Sequence, residues 1–289
     1  MSYPRLAVLM ACHNRRDQTL ACLESVYQQD VTSDVYLVDD GSIDGTSDAV
    51  SAKYPQVKIL QGDGNLYWGG AMRWAFDEAM KAGHDYYIWL NDDTTLDPDA
   101  FSRLLSTHRD LIQKGKPDSI IAGSMRDPAT GQPTYGGMVH FSRFRPLKFV
   151  PVEPGEEPLE CDTVCGNCVL IPDIVAQKVG NIDPAFPHVW GDWDYGLRAK
   201  QQGCSVWIVA GCLGNCSRNP PTQSWKNPDL PLRERWKKMN QIKGSPPRVI
   251  KAMAQRHAGP FWYIYWLSPY VRLLVSSIFK DLKHPPEEW

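Results

Sequence analysis

The sequence predicts an α/β fold, a mostly parallel sheet flanked by helices, with a helical appendage at the C-terminus. Two observations carry this reading. Short apolar runs alternate with helix-spaced segments through roughly the first two hundred residues, the rhythm of a parallel sheet covered on both faces. Polar clusters recur where the apolar runs stop, at the strand ends where open α/β sheets hold ligands.

Each element follows in order. Leu6 to Ala11 is an apolar run, read as a strand, and it ends in polar Cys12-His13-Asn14-Arg15-Arg16. Asp17 to Gln29 places Leu20, Leu23, Val26 and Tyr27 at helical spacing, with Asp17 as the cap. Val35 to Val38 is a second strand, closed by Asp39-Asp40-Gly41-Ser42. Ser47 to Tyr54 reads as a helix and Val57 to Leu60 as a strand. After the loop Gly62-Asp63-Gly64-Asn65, a helix runs from Trp68 until Gly83 stops it. Tyr86 to Leu90 is a fourth strand, Pro98 to Lys114 a helix and Ser119 to Ala122 a fifth strand. The region Asp127 to Glu160 is rich in Gly, Pro, Arg and aromatics, with a hairpin expected around Gly136-Gly137. Val169 to Ile171 is a strand, Ile174 to Val179 a helical turn, Asp192 to Gly203 a helix and Val206 to Val209 a final strand. Beyond Asn219 come prolines and then basic helices. The organisation expected is a domain over 1–225 and an extension over 226–289.

Composition sets limits. The 289 residues are 43% apolar, enough for a full core, and the net charge of -2 argues against a nucleic-acid partner. Charge is local instead. Lys226, Arg233, Arg235, Lys237, Lys238, Lys243, Arg248, Lys251 and Arg256 stand against only Asp229 and Glu234. That stretch reads either as a solvated helix face or as a surface for an anionic membrane or a phosphate-bearing acceptor. The N-terminus becomes a strand at once, without a basic leader or cleavage site. A cytoplasmic location, at the inner face of the membrane if the tail binds there, is therefore expected, with reduced thiols. Cys161, Cys165 and Cys168 lack a second CxxC-like partner group, so buried thiols are favoured over zinc. Phe261 to Phe279 is aromatic but broken by Ser268-Pro269 and Arg272. It reads as a segment lying in the headgroup layer or as a helix packed on the main domain, not as a membrane span.

Two acidic clusters carry the chemistry. Asn91-Asp92-Asp93-Thr94 follows an apolar strand, and adjacent carboxylates there are costly unless solvated or neutralised by a cation. Gly191-Asp192-Trp193-Asp194 opens a helix about a hundred residues later. Together they suggest a metal-held diphosphate facing a carboxylate base. Asp194 and Arg198 form an i, i+4 pair that orients the base helix.

Five motifs in order and spacing then carry a resemblance. They are Ala11-Cys12-His13-Asn14-Arg15, Val38-Asp39-Asp40-Gly41-Ser42, Asn91-Asp92-Asp93-Thr94, Gly166-Asn167-Cys168-Val169-Leu170-Ile171 and Gly191-Asp192-Trp193-Asp194-Tyr195-Gly196-Leu197-Arg198. Over about residues 5 to 220 the chain resembles the family 2 inverting glycosyltransferases of the GT-A fold. More narrowly, it resembles the rhamnosyltransferase-like branch of bacterial polysaccharide gene clusters. The resemblance implies a nucleotide base flanked by Ala11 and Asn14 and contacted by Asp40, with Arg15 near the diphosphate. It implies Mn²⁺ or Mg²⁺ on Asp93, Asp92 beside the sugar of the nucleotide or of the donor, and Asp192 as the catalytic base. Asn65, Arg73 and Trp68 fall beside base and donor, and Gly166 permits close backbone approach to the donor sugar. Two departures stand out: Gly191 occupies a common glutamate position, and Asn215 falls about where many relatives carry a metal-binding His. Arg218 could serve there as a diphosphate clamp.

The function this implies is inverting transfer of a sugar from dTDP-rhamnose or a UDP-hexose to a hydroxyl of a lipid-linked saccharide, in O-antigen or capsule synthesis. The rival readings are a nucleotidyltransferase and a non-catalytic nucleotide-sugar-binding protein.

Overall fold

The structure is a computed structural model and describes residues 4–142, 144–218, 225–227 and 229–278. In chain order the first part runs β1 (Leu6–Cys12), α1 (Arg16–Tyr27), β2 (Ser33–Asp39), α2 (Thr46–Lys53), β3 (Lys58–Gln61), α3 (Tyr67–Ala82) and β4 (Tyr86–Leu90). Then come β5 (Thr95–Leu96), α4 (Ala100–Gln113), β6 (Ser119–Arg126), β7 (Gly137–His140), β8 (Phe149–Pro151), β9 (Leu159–Glu160), β10 (Thr163–Val164) and β11 (Cys168–Pro172). The last elements are α5 (Asp173–Val179), α6 (Gly191–Gln201), β12 (Ser205–Asn215), α7 (Leu232–Asn240), α8 (Pro247–His257) and α9 (Trp262–Ile278).

The main sheet has the order β3-β2-β1-β4-β11-β6-β12-β5, with β9 also on β12. The apolar runs become its centre because both faces are covered, and strand alternation deals the side chains to two cores. Leu6, Val8 and Met10 of β1 join Leu23 and Val26 of α1 and Phe101, Leu104 and Leu111 of α4. Ala7 and Leu9 join Met72, Ala75 and Phe76 of α3 and Tyr195 of α6 on the other face. A second sheet, β10-β7-β8, is antiparallel, and Met138 and Phe149 in it pack with Leu197 of α6 and Val249 and Met253 of α8. Trp225, Met239, Ile250 and Leu273 form a further cluster that seats α7, α8 and α9.

One feature of this topology builds the site. β1, β2, β3 and β4 are parallel, but β11 runs antiparallel to both β4 and β6. Its first residue, Cys168, is therefore paired with the last residue of β4, Leu90. The loop before β11 thus reaches the same sheet edge as the loops after β1, β2 and β4.

Several local expectations are corrected. Arg16 opens α1, and Asp17 sits exposed in its first turn without capping it. The helix expected from Pro98 starts at Ala100, and Asp97 forms a two-armed pair with Arg126 at 2.9 and 2.7 Å. The hairpin turn lies between His140 and Phe149, with Gly137 already in a strand. β12 continues to Asn215, with register shifts between Ile208 and Gly214. The nine cations do not form one surface. Arg235 is buried and donates to the Trp225 carbonyl, and Arg256 pairs with Asp183 and Asp194. α9 packs on α7 and α8 through one face. Leu273 is fully buried, while Ile264, Leu267, Val271, Leu274 and Val275 are exposed. No helix among the described residues is long and apolar enough to cross a membrane. Asn219, Phe279 and the rest of the extension to residue 289 lie outside the described residues.

Candidate active site

The ends of β1, β2 and β4, the loop before β11 and the start of α6 enclose a cleft of about 650 Å³. Ala11, Arg15, Asp40, Asp92, Asp93, Gly166 and Asp192, each singled out in the sequence, line it together. Trp68 lines it as well, its indole N–H donating to Asn91 Oδ1 at 2.9 Å.

Arg15 stands on the acidic pair. One guanidinium nitrogen donates to Asp92 Oδ1 at 3.0 Å and to Asp93 Oδ2 at 2.8 Å. This supplies the cationic neutralisation that two acids at a strand exit require. Asp92 is almost fully buried, and its Oδ2 is buried without a hydrogen-bond partner. Burial pushes its carboxyl up to about 6, against the opposing pull of Arg15. No cluster of three or more His, Cys, Asp or Glu positioned to hold a metal occurs among the described residues. The side chain that meets Asp93 from the end of β12 is Cys216, whose thiol donates to Asp93 Oδ1 at 3.6 Å. Asn215, expected nearest to that place, is instead paired in the sheet with Arg126 and Thr95.

Asp192 faces the cleft from the first turn of α6. Its Oδ2 accepts the Gly166 N–H at 2.8 Å and its Oδ1 the Trp193 N–H at 2.9 Å. Burial raises this carboxyl to about 6, opposed by those two bonds. Gly166 is held tightly, since a Cβ there would lie 2.6 Å from the Trp68 ring. Gly191 has a packing reason to be small: it is buried, and a Cβ there would stand 3.3 Å from Ile182, tighter than ordinary contact, and 3.5 Å from Phe186. A glutamate in that place would bring a carboxylate into apolar surroundings.

Asp194 does the architectural work. It is fully buried and accepts from Arg198 at 2.7 Å, from His257 at 2.9 Å and from Arg256 at 3.0 Å. Burial alone would raise its carboxyl, but these three partners hold it below the usual range. Through them the end of α8 is tied to the helix that carries Asp192.

Other predicted residues work at a remove. Asp40 lines the cleft, yet Oδ1 already accepts the Gly64 and Leu66 N–H groups and Oδ2 that of Tyr67. It therefore fixes the start of α3. Asn14 accepts the Ile43 N–H with its side-chain oxygen at 2.8 Å and donates its own N–H to Ser42 Oγ at 2.9 Å. Asn65, exposed, closes a turn with Asp63. The Arg73 carbonyl accepts from Asn181, and the residue does not line the cleft. Arg218 donates to the Pro133 carbonyl, outside the cleft lining but close enough for its charge to act on the Cys165 thiol. Of the cysteine trio, Cys161 and Cys168 are buried and Cys165 lines the cleft.

Sequence reading missed Tyr67, His188 and Trp190 on the cleft wall and took Lys243 only as one of nine cations in the basic stretch. A backbone signal marks two of them. The non-glycine residues with positive φ among the described residues are Asn14 (53°), Tyr67 (54°) and Trp190 (67°). Two line the cleft and the third sits between His13 and Arg15, which do. Backbone in this region costs on the order of 1–3 kcal/mol and gathers at ligand sites.

A sheet edge that opposes a paired-acid strand exit to a lone carboxylate on a helix start is the layout of a sugar-transferring enzyme of the GT-A fold. Comparison with known proteins agrees. The chain belongs to glycosyl transferase family 2, whose model matches residues 7–170, and it is a glycosyltransferase. It is 27% identical over 227 residues to the N-acetylglucosaminyl-diphospho-decaprenol L-rhamnosyltransferase of two Mycobacterium tuberculosis strains, covering 71% of this chain and 73% of the relative. The crystal structure of S. aureus TarS superposes with a TM-score of 0.58 at 13% identity, covering 96% of this chain and 53% of that one. That likeness is one of fold, and this chain spans about half the length of TarS.

Proposed function

We infer that this enzyme transfers a sugar with inversion from a nucleoside diphosphate, dTDP-rhamnose or a UDP-hexose, to a hydroxyl of a lipid-diphosphate-linked saccharide. The product would feed a cell-surface polysaccharide. The observation that carries the reading is Asp192, held by two backbone N–H groups across one cleft from Asp92 and Asp93. A carboxylate near pKa 6 is a competent base at neutral pH. It would take the acceptor hydroxyl proton as that oxygen attacks the anomeric carbon and the nucleoside diphosphate leaves from the opposite face. The mycobacterial relatives, whose names specify rhamnose and a diphospho-decaprenol acceptor, favour rhamnose as the sugar and a polyprenyl diphosphate as the carrier.

Asp92 and Asp93 fit a divalent cation, being hard oxygen donors of which one is unpartnered. Two carboxylates fall short of a complete cage, so the remaining ligands would be donor phosphates and water, a common arrangement for Mg²⁺. Bound Mn²⁺ or Mg²⁺ would supply Lewis-acid stabilisation of the leaving diphosphate. Arg15, displaced from the acids, has the reach and charge to turn to that diphosphate. Ala11 and Asp40 lie where the nucleobase is expected. The exposed apolar stripe of α9 supports peripheral contact with the cytoplasmic membrane surface, where a lipid-linked acceptor resides.

A thermal-shift screen of nucleotide sugars, with and without Mn²⁺, tests the donor, since a ligand specific for the folded state raises the melting temperature. Stabilisation by dTDP-rhamnose or a UDP-hexose is expected. Stabilisation by nucleoside triphosphates alone, with pyrophosphate release, would favour a nucleotidyltransferase instead.

A further inference from the structure

Among the described residues, the extension reaches the cleft at one. Lys243, in the loop between α7 and α8, lines it beside His188 and Trp190. We propose that Lys243 and this wall form the acceptor's anion subsite, with the ammonium binding a phosphate of a diphosphate-linked saccharide. The inference rests on the acceptor reading above and gives that acceptor a place.

Four observations carry it. First, Lys243 is exposed and makes no hydrogen bond or ion pair with the described residues, whereas Arg15, the other cation on the cleft, is spent on Asp92 and Asp93. Second, the loop holding it is built. Its backbone is tied by Gln241 N–H to Lys238 O at 3.3 Å, Gly244 N–H to Gln241 O at 2.9 Å and Ser245 N–H to Met239 O at 2.9 Å. Gly244 passes so close to α7 that a Cβ would lie 2.1 Å from the Lys238 carbonyl. Such a loop holds its lysine over the cleft at little further ordering cost. Third, the wall is poised for a polar ligand. His188 Nδ1 is buried without a partner. Burial first, and the Lys243 charge second, lower the imidazole to about 4, so His188 is neutral and the positive charge of this wall is that of Lys243. Fourth, the subsite is registered to the chemistry. Trp190 precedes Gly191-Asp192 and packs on the Met239–Ile250–Leu273 cluster that supports the loop and α9. The base acts on the acceptor hydroxyl, so a cation on the base's side of the cleft serves the acceptor, while the acids and Arg15 serve the donor.

The test uses the full chain and two synthetic acceptors carrying N-acetylglucosamine on an undecyl chain. One is joined through a diphosphate, the other through a plain glycosidic bond. With Lys243→Ala the KM for the diphosphate acceptor should rise about tenfold, the scale of one charge-assisted hydrogen bond. Lys243→Arg should recover most of it, and the neutral acceptor should show no comparable penalty. An equal loss on both acceptors, a raised donor KM, or a Lys243→Ala enzyme that keeps the full preference for the diphosphate would overturn the assignment. If the unaltered enzyme uses both acceptors equally well, the diphosphate-acceptor reading itself fails and takes the subsite with it.

Discussion

Replacing Asp192 with asparagine changes the side chain's volume little and its chemistry completely. The two carboxylate oxygens take the Gly166 and Trp193 N–H groups at 2.8 and 2.9 Å. An amide has one oxygen, so in either orientation one of those donors faces an NH₂ group. A buried backbone donor left unsatisfied costs about 1–3 kcal/mol, so a melting temperature several degrees lower is expected in a protein that still folds. The catalytic loss is larger. Removing a general base lowers turnover by about two to four orders of magnitude, or about 3–5 kcal/mol of barrier. The acid–base signature can be worked out as well. With the carboxyl at about 6, roughly one molecule in eleven carries the base form at pH 5 and about ten in eleven at pH 7. The kcat/KM of the unaltered enzyme should therefore rise about tenfold between those values and then level off. An aspartate at its ordinary 3.8 would leave the profile nearly flat there. The same shift makes this group's contribution to folding less favourable as pH rises from 3.8 through about 6, because the folded state holds the proton more tightly. Initial rates of transfer at saturating donor over pH 5–8, beside melting curves, measure all three quantities. Turnover within fivefold of normal in the Asn variant, or a flat profile down to pH 5, would refute the assignment. Asp194 could not take over, being fully buried against Arg198, Arg256 and His257.

The remaining expectations follow from the same geometry. Asp93→Ala should abolish the part of dTDP or UDP affinity that Mn²⁺ adds. Titration calorimetry giving equal affinity in Mn²⁺ and in EDTA for the unaltered protein would remove the metal from the reading. Asp194→Asn should cost about 1–3 kcal/mol, since the fully buried side chain loses its charge-assisted bonds to Arg198, Arg256 and His257, and should loosen α8 from α6. A denaturation midpoint unchanged by that substitution would show that the cluster does not hold the extension. Leu267→Glu with Val271→Glu, on the exposed stripe of α9, should end cosedimentation with anionic liposomes, and binding of the unaltered protein should weaken as salt rises. A protein that ignores such liposomes at every salt concentration sinks the membrane contact.

What the sequence revealed and what it hid divide along a physical line. Strand and helix periods are local, so the alternation from Leu6 to Leu90 translates directly into β1 through β4. Polar groups at strand exits are also local, which is why Arg15, Asp40, Asp92 and Asp93 meet in one cleft. Direction is not local. An apolar run such as Val169–Ile171 reads the same in either sense, and only the register of Cys168 with Leu90 shows it antiparallel. Competition between partners is equally hidden. Asp97 beside Pro98 has the look of a helix cap, but Arg126, 29 residues away in sequence, takes its carboxylate. Asn215 and Cys216 differ by one position. The strand pairing of the first decides that the second meets Asp93. Lys243 carried no motif, and its place depends on how three helices pack around Met239.

The reversed strand explains why two acidic clusters a hundred residues apart line one cleft. Were β11 parallel to its neighbours, Gly166 and Asn167 would lie at the far edge of the sheet. Antiparallel, they stand at the exit of β4, where Asn91 N–H donates to Asn167 O at 3.2 Å and Gly166 N–H to Asp192. The backbone before β11 therefore bridges the strand exit that bears Asp92 and Asp93 and the helix that bears Asp192. The extension enters the same chain of contacts at two points: Trp190 packs on its core, and Asp194 is clamped by its Arg256 and His257. A shift of α8 must act on both ends of the first turn and a half of α6, and so on the angle at which Asp192 faces the cleft. Positioning of this kind governs rate steeply, since a displacement of about 1 Å at a reacting group can cost on the order of a hundredfold. If Asp192 is the base proposed above, the helices after residue 225 are thus coupled to the chemistry itself, whatever surface their outer face meets.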